Sequence, residues 1–185
     1  GQEASLKIAK TSYYKTDFQW AEHQVKVLKS ASTQLIANDA LDLFLLLNDS
    51  KAQDSLQVAL KKFAKADFML FQEKTPEALG AFQAILKENK GAEIEPVTLL
   101  RIGKIYEKLN DFPNALSNYK QIIDNHKESI YIDEANFYSA EIYNQMNDAE
   151  KAKPLYETII MNHADSIYFV EAQKKYRKLR GDKDI

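Results

Sequence analysis

IYEKLNDFPNALSNYKQIIDNHKESIY (105–131) and IYNQMNDAEKAKPLYETIIMNHADSIY (142–168) lie 37 residues apart and align without a gap. Thirteen pairs are identical: Ile105/Ile142, Tyr106/Tyr143, Asn110/Asn147, Asp111/Asp148, Ala115/Ala152, Tyr119/Tyr156, Ile122/Ile159, Ile123/Ile160, Asn125/Asn162, His126/His163, Ser129/Ser166, Ile130/Ile167 and Tyr131/Tyr168. Ordinary composition gives roughly two or three chance matches over a full period. A fixed period of this size marks a repeat architecture, in which each unit buries its apolar face by stacking on its neighbours. Residues 96–132 and 133–169 are therefore read as consecutive repeats.

Within the period, apolar residues recur at three- and four-residue steps: Leu99, Ile102, Tyr106, Leu109, then Leu116, Tyr119, Ile122, Ile123. That is the buried stripe of an amphipathic helix. With only 5 Gly and 4 Pro, and no β-branched alternation, the composition agrees. Thr75-Pro76-Glu77 reads as an N-cap followed by Pro at the first helical position, Glu95-Pro96 as another start, and Asp111 and Asp148 as N-caps. The pattern predicts about ten helices, near 3–14, 17–29, 35–48, 54–73, 76–89, 96–109, 112–126, 130–146, 149–162 and 167–180, joined by short connections.

Small and aromatic residues follow one scheme in each period. Gly103 and Tyr106 on the first helix precede Ala115 and Tyr119 on the second, and the next repeat gives Ala140, Tyr143, Ala152 and Tyr156. Stepping back 37 gives Ala66, Met69, Ala78 and Phe82, a more diverged copy at 59–95. A small residue lets two helices approach closely, and an aromatic nearby fills the space between hairpins. Ala9 and Ala21, with Thr16-Asp17-Phe18-Gln19-Trp20-Ala21 echoing Asn110-Asp111-Phe112-Pro113-Asn114-Ala115, suggest a partial repeat at 2–30. Ala9 and Ala66 are 57 apart, that is 37 plus 20, which leaves room for one extra helix at Leu35–Asn48 and makes 1–58 a degenerate repeat plus that helix. At the other end Arg177 replaces the small residue, and 167–185 reads as a capping helix and tail closing one continuous array.

Over about 59–180 this scheme resembles the tetratricopeptide repeat superfamily: a small residue, an aromatic three on, Ala twelve after the small residue and an aromatic four after that. The resemblance implies an all-α fold, a right-handed superhelix (α-solenoid) of helical hairpins with a C-terminal cap helix. The usual repeat is 34 residues, and the three extra residues fall in the turns 125–131 and 162–168, where Lys127 and Ala164 replace the family's frequent Pro. Long turns ending in Ser-Ile-Tyr and leading into Asp133-Glu134-Ala135 or Glu171-Ala172 look similar to bacterial cell-envelope members, both Tol–Pal-associated and outer-membrane-assembly types. That similarity implies a periplasmic or outer-membrane-associated location in a Gram-negative bacterium, the alternative being the cytoplasm. Gly1 stands where an initiator Met would be expected, so a cleaved or processed end with an upstream segment is expected.

The residues point away from chemistry. There is no Cys, no glycine-rich phosphate loop, no His-Glu-x-x-His and no nucleophile elbow. His126 and His163 occupy equivalent turns, which stacking should hold roughly 10 Å apart, beyond shared metal ligation at ~2 Å. They read as structural turn residues and His23 as a surface residue, so no catalytic, cofactor or metal site is expected. A net charge of −2 and a pI near 6.0 argue against nucleic acid. No apolar run reaches the ~20 residues of a membrane span, the longest, Leu41–Leu47, being broken by Asp42. The run Lys174-Lys175-Tyr176-Arg177-Lys178-Leu179-Arg180, partly neutralised by Asp182 and Asp184, reads as a solvated cap helix. Trp20 reads as inter-helix packing, the alternative being exposure at a chain end.

The expected function is a non-enzymatic scaffold that binds a partner peptide or protein. The resemblance places the concave groove on the first helices, with Phe63, Leu100 and Phe137 in one column, Asp67, Lys104 and Glu141 in the next, and Leu70, Glu107 and Asn144 in a third. The apolar column either anchors a peptide or packs against neighbouring helices. Chaperone-binding members need Lys and Asn where Phe63 and Asp67 stand, so capture of a chaperone C-terminus is not expected. Two other readings are a self-association module and a regulatory domain of a larger protein whose catalytic part lies upstream.

Overall fold

The protein is represented by a computed structural model that describes residues 1–29, 33–49 and 54–182. Residues 30–32 and 50–53 of the expected N-terminal segment lie outside the described residues, as do 183–185 of the tail, Asp184 among them. The described chain forms ten helices: α1 Gln2–Tyr14, α2 Phe18–Leu28, α3 Gln34–Asp49, α4 Asp54–Phe71, α5 Thr75–Glu88, α6 Ile94–Lys108, α7 Phe112–Asn125, α8 Ile132–Gln145, α9 Ala149–Asn162 and α10 Phe169–Arg180. The fold is all-α, as the periodicity predicts, and the helix ends fall within a few residues of their expected places. Two compact units divide the chain, Gly1–Thr98 and Leu99–Ile185, with the boundary inside α6.

One turn geometry recurs in both units. In the first, Thr16 (φ 63°) and Glu73 (φ 61°) are left-handed; in the second, Asn110 (φ 58°) and Asn147 (φ 59°) are. The next residue then donates its N–H five residues back: Asp17 to Ser12 O, Lys74 to Met69 O, Asp111 to Tyr106 O and Asp148 to Tyr143 O, at 2.8–2.9 Å. These bonds satisfy carbonyls that a helix end leaves open. Asn tolerates the left-handed region through its short polar side chain, whereas Thr and Glu enter it at a cost. Thr16 to Glu73 spans 57 residues and Asn110 to Asn147 spans 37, the two intervals present in the sequence.

Helix starts follow the same economy. Asp17, Asp111 and Asp148 each accept a hydrogen bond from the backbone N–H three residues on, at 3.2–3.3 Å. Such caps are worth about 1 kcal/mol each. Thr75 departs from expectation: the N-cap is Lys74, with no side-chain cap bond, and Thr75 is already helical ahead of Pro76. Ser-Ile-Tyr closes the long turns, as expected, but the helices after it start later than expected. The Ser129 and Ser166 side chains accept from the N–H of Tyr131 and Tyr168, so α8 and α10 begin two residues later than the periodicity predicts.

In the first unit α1 pairs with α2 and α4 with α5, and α1 also touches α3 and α4. Ala9 and Ala21 are fully buried at the first contact; Ala66, Ala78 and Phe82 are at the second. In the second unit α7, α8, α9 and α10 pack in chain order. Its core holds Ala115, Tyr119 and Ile122 and their equivalents Ala152, Tyr156 and Ile159, none with measurable exposure. Burying each large side chain contributes about 1.5–3 kcal/mol, so identity at these positions reflects packing. Gly103 shows how tight the fit is, because a Cβ built there would lie 2.4 Å from the Tyr119 ring. The cap helix α10 seats Ala172 fully buried on α9 and stops at Gly181 (φ 85°).

Candidate functional site

The three expected columns behave differently. Phe63 is fully buried and meets Phe82 edge-on with ring centroids 5.0 Å apart. Leu100 is buried, and Phe137 stacks on Tyr168 at 4.6 Å while meeting Tyr156 edge-on at 6.1 Å. The apolar column is therefore buried in the packing, the second of the two readings open to it. Leu70 and Asn144 are half-buried.

The charged columns stand at the surface but are already engaged. Asp67 accepts a hydrogen bond from the Tyr13 hydroxyl at 2.9 Å. Lys104 donates to the Tyr138 hydroxyl at 2.9 Å and lies 4.1 Å from that ring's centroid, with Glu134 3.5 Å away. Glu107 accepts from the Tyr119 hydroxyl at 2.9 Å. Glu141 accepts from the Tyr156 hydroxyl and pairs with Lys175 at 3.1 Å. Lys104 is not freely solvated: its side chain is 35% exposed and is held by Tyr138 and Glu134 of α8.

Two of these links are the same rung one period apart. Lys104 to Tyr138 and Glu141 to Lys175 both span 34 residues and join the first helix of one hairpin to the next helix of its kind. Lys175 therefore leaves the expected solvated basic run, its ammonium fixed by Glu141, whereas Lys174, Arg177 and Lys178 are exposed. Arg180 pairs with Asp182 at 2.9 Å.

The surroundings shift several pKa values. Burial pulls the Lys104 pKa down, but Glu134 and the Tyr138 hydroxyl more than offset it and hold the pKa above the ordinary lysine value. Burial is the largest influence raising the Tyr119 phenol, followed by Glu107; for Tyr156 it is burial, then Glu141. Both phenols stay protonated and donate.

An open cleft of about 340 Å³ lies within the second unit, lined by Lys104, Glu107, Lys108, Asn110, Phe112, Tyr138 and Gln145. Two expected residues, Lys104 and Glu107, are brought together there. Sequence reasoning missed Tyr138, which forms one wall and holds Lys104. The 34-residue offset could have found it, since Tyr138 and Lys175 are equivalent, but only once the rung geometry is known.

Other residues fall as follows. His126 and His163 are C-caps whose carbonyls accept from the N–H of Ser129 and Ser166 at 3.0 Å, the turn role expected of them. Trp20 is 53% exposed and stacked on His23, which corrects its reading as inter-helix packing. It is carried on the outer side of α2, where Ala21 and Val25 face inward.

With this geometry in view, residues 98–129 and 134–166 match a protein-family model. The match is to the tetratricopeptide repeat. It supports the tetratricopeptide superfamily for the repeat region, and the two matched stretches coincide with the α6–α7 and α8–α9 hairpins. No curated protein matches the chain. Tetratricopeptide repeats generally mediate protein–protein interaction and are typically non-enzymatic scaffolds. Among the described residues, no helix is long and apolar enough to cross a membrane.

Proposed function

We propose that this chain is a non-enzymatic interaction scaffold whose tetratricopeptide hairpins hold a partner peptide or protein on the face formed by their first helices. The observation that carries this reading is the cleft where Lys104, Glu107 and Tyr138 meet. It lies on expected groove positions and joins polar groups to aromatic walls, the mixture that peptide recognition uses. Phe137 supports the face from beneath, and Glu141 and Asn144 extend it. In the first unit, Asp67 and Leu70 are the corresponding surface residues, with Phe63 behind them.

Site-specific photocrosslinking with the native partner tests this. A crosslinker at Gln145, exposed at the cleft, should capture the partner, and one at Lys120, exposed on α7, should not. Capture from Lys120 alone would refute the face.

Self-association is a second reading, favoured by an exposed aromatic patch in the first unit. Tyr14 contacts Phe68 at 5.2 Å and Phe71 at 5.6 Å, and Phe71 is 69% exposed. If copies meet through it, Phe71→Asp abolishes a dimer seen by sedimentation equilibrium; a monomeric parent protein removes this reading. A cell-envelope location is likewise proposed, supported by the long Ser-Ile-Tyr turns. Fractionation of the source cells checks it, and a purely cytoplasmic protein would end it.

A further inference from the structure

We infer that the cleft of the second unit takes an acidic segment of the partner, seating an Asp or Glu side chain between Lys104 and Lys108 with its neighbours against Phe112 and Tyr138. This rests on the reading of that face as the binding surface and names the chemistry it selects. The lining carries two ammonium groups, two side-chain amides and one carboxylate. That carboxylate, Glu107, accepts from the Tyr119 hydroxyl and keeps its charge, so two ammonium groups stand against one carboxylate. Lys104 spends one proton on Tyr138 and has only a long contact, 3.5 Å, to Glu134, so an ammonium with three donors keeps capacity for another acceptor. Among the described residues, the Lys108 ammonium and the Asn110 and Gln145 side-chain amides make no hydrogen bond or ion pair. The balance thus favours an incoming carboxylate, which meets two ammonium groups and two amides against one carboxylate, over an incoming ammonium, which meets two like charges.

Departure from the repeat supplies the second argument. One period on, Lys104 and Lys108 become Glu141 and Gln145, and the walls Phe112 and Tyr138 become Ala149 and Lys175. The hairpin needs none of these identities, because the second copy folds in the same way without them. At the second copy the charge is neutralised internally by the Glu141–Lys175 pair. The cationic, aromatic-walled lining of the α6–α7–α8 step is therefore not repeated one period on.

The test is a nuclear magnetic resonance titration of the whole chain with three hexapeptides blocked at both ends. The first is Ser-Glu-Leu-Glu-Ser-Glu, and the others replace Glu by Gln or by Lys. The Glu peptide should shift amide signals of 104–112 and 138–145 and bind about tenfold tighter than the Gln peptide, the worth of one charge-assisted contact. The Lys peptide should leave those signals unmoved. Lys108→Glu should lower affinity for the Glu peptide about tenfold with an unchanged fold, since that side chain is exposed. Equal binding of the Gln and Glu peptides at the same amides overturns the acidic preference and leaves the face intact. If no peptide shifts those amides, the inference is overturned, and the Gln145 crosslink decides separately whether the face binds a partner.

Discussion

Tyr119 and Tyr156 fill equivalent places in consecutive hairpins, both fully buried, yet their hydroxyls find different acceptors. Tyr119 donates to Glu107, twelve residues earlier; Tyr156 donates to Glu141, fifteen earlier. The reason is the residue at the rung. In the second hairpin that position is Glu141 and accepts; in the first it is Lys104, which cannot, so the carboxylate a turn further on takes over. Shape fixes the ring, and whichever carboxylate lies in reach fixes the hydroxyl. The packing trio Ala115, Tyr119 and Ile122 is shared between the repeats, whereas the rung position differs.

The strongest way to break this comparison is to overfill the shared contact. Ala115→Leu and Ala152→Leu should each destabilise by about 1–3 kcal/mol in denaturant unfolding, because both alanines are fully buried. Equal costs would confirm that the two hairpins are packed alike; a near-neutral result at either would show a looser contact there.

Gly103 and Ala140 sharpen the point, being equivalent but not identical. Gly103→Ala should cost about 1 kcal/mol despite better helix propensity, because its Cβ would run into the buried Tyr119 ring. Ala140 already carries a Cβ beside Tyr156 with no exposure, so the second hairpin has made the space the first lacks. Stabilisation of the first by Gly103→Ala would mean that the ring gives way freely.

The two hydroxyls predict an alkaline effect. Burial, with Glu107 or Glu141 beside them, raises both phenol pKa values above the ordinary 10.0. A raised folded-state pKa means the contribution is fully present below about pH 10 and declines as pH rises towards the folded value. Stability should therefore fall above about pH 10, less steeply in Tyr119→Phe than in the parent. Lys104, also raised, acts in the same direction in both proteins and cancels from the difference. Identical slopes would show that folding does not raise the Tyr119 phenol pKa.

The smallest effect belongs to a solvated pair. Lys120→Glu removes an exposed i,i+4 link to Asp124 and should change stability by no more than about 0.5 kcal/mol. A larger loss would mean that this face of α7 carries packing.

Much of the fold was legible because repeat identity and helical period report burial directly. Ala115, Tyr119 and Ile122 recur as Ala152, Tyr156 and Ile159 since the same space must be filled twice. Asp111 and Asp148 were readable as caps because capping is local. The polar site was less legible. Phe63, Leu100 and Phe137 share a column with the groove, but a column is equally compatible with the inner or outer side of a helix, and the structure puts them inside. Trp20 looked like packing beside a repeat-like alanine, whereas α2 carries it outward.

What the sequence determined by itself is the number and kind of the helices, their turns and the shared core, because these follow from local propensity and from a volume pattern repeated every 37 residues. Tertiary structure alone decided which charges are engaged. Lys104 meets Tyr138, Glu141 meets Lys175 and Tyr13 meets Asp67 across 34, 34 and 54 residues, distances at which no periodicity within one helix can say who touches whom. A hydrogen bond depends on the placement of a few atoms after the helices have packed, and a sequence pattern specifies the packing before it specifies those atoms.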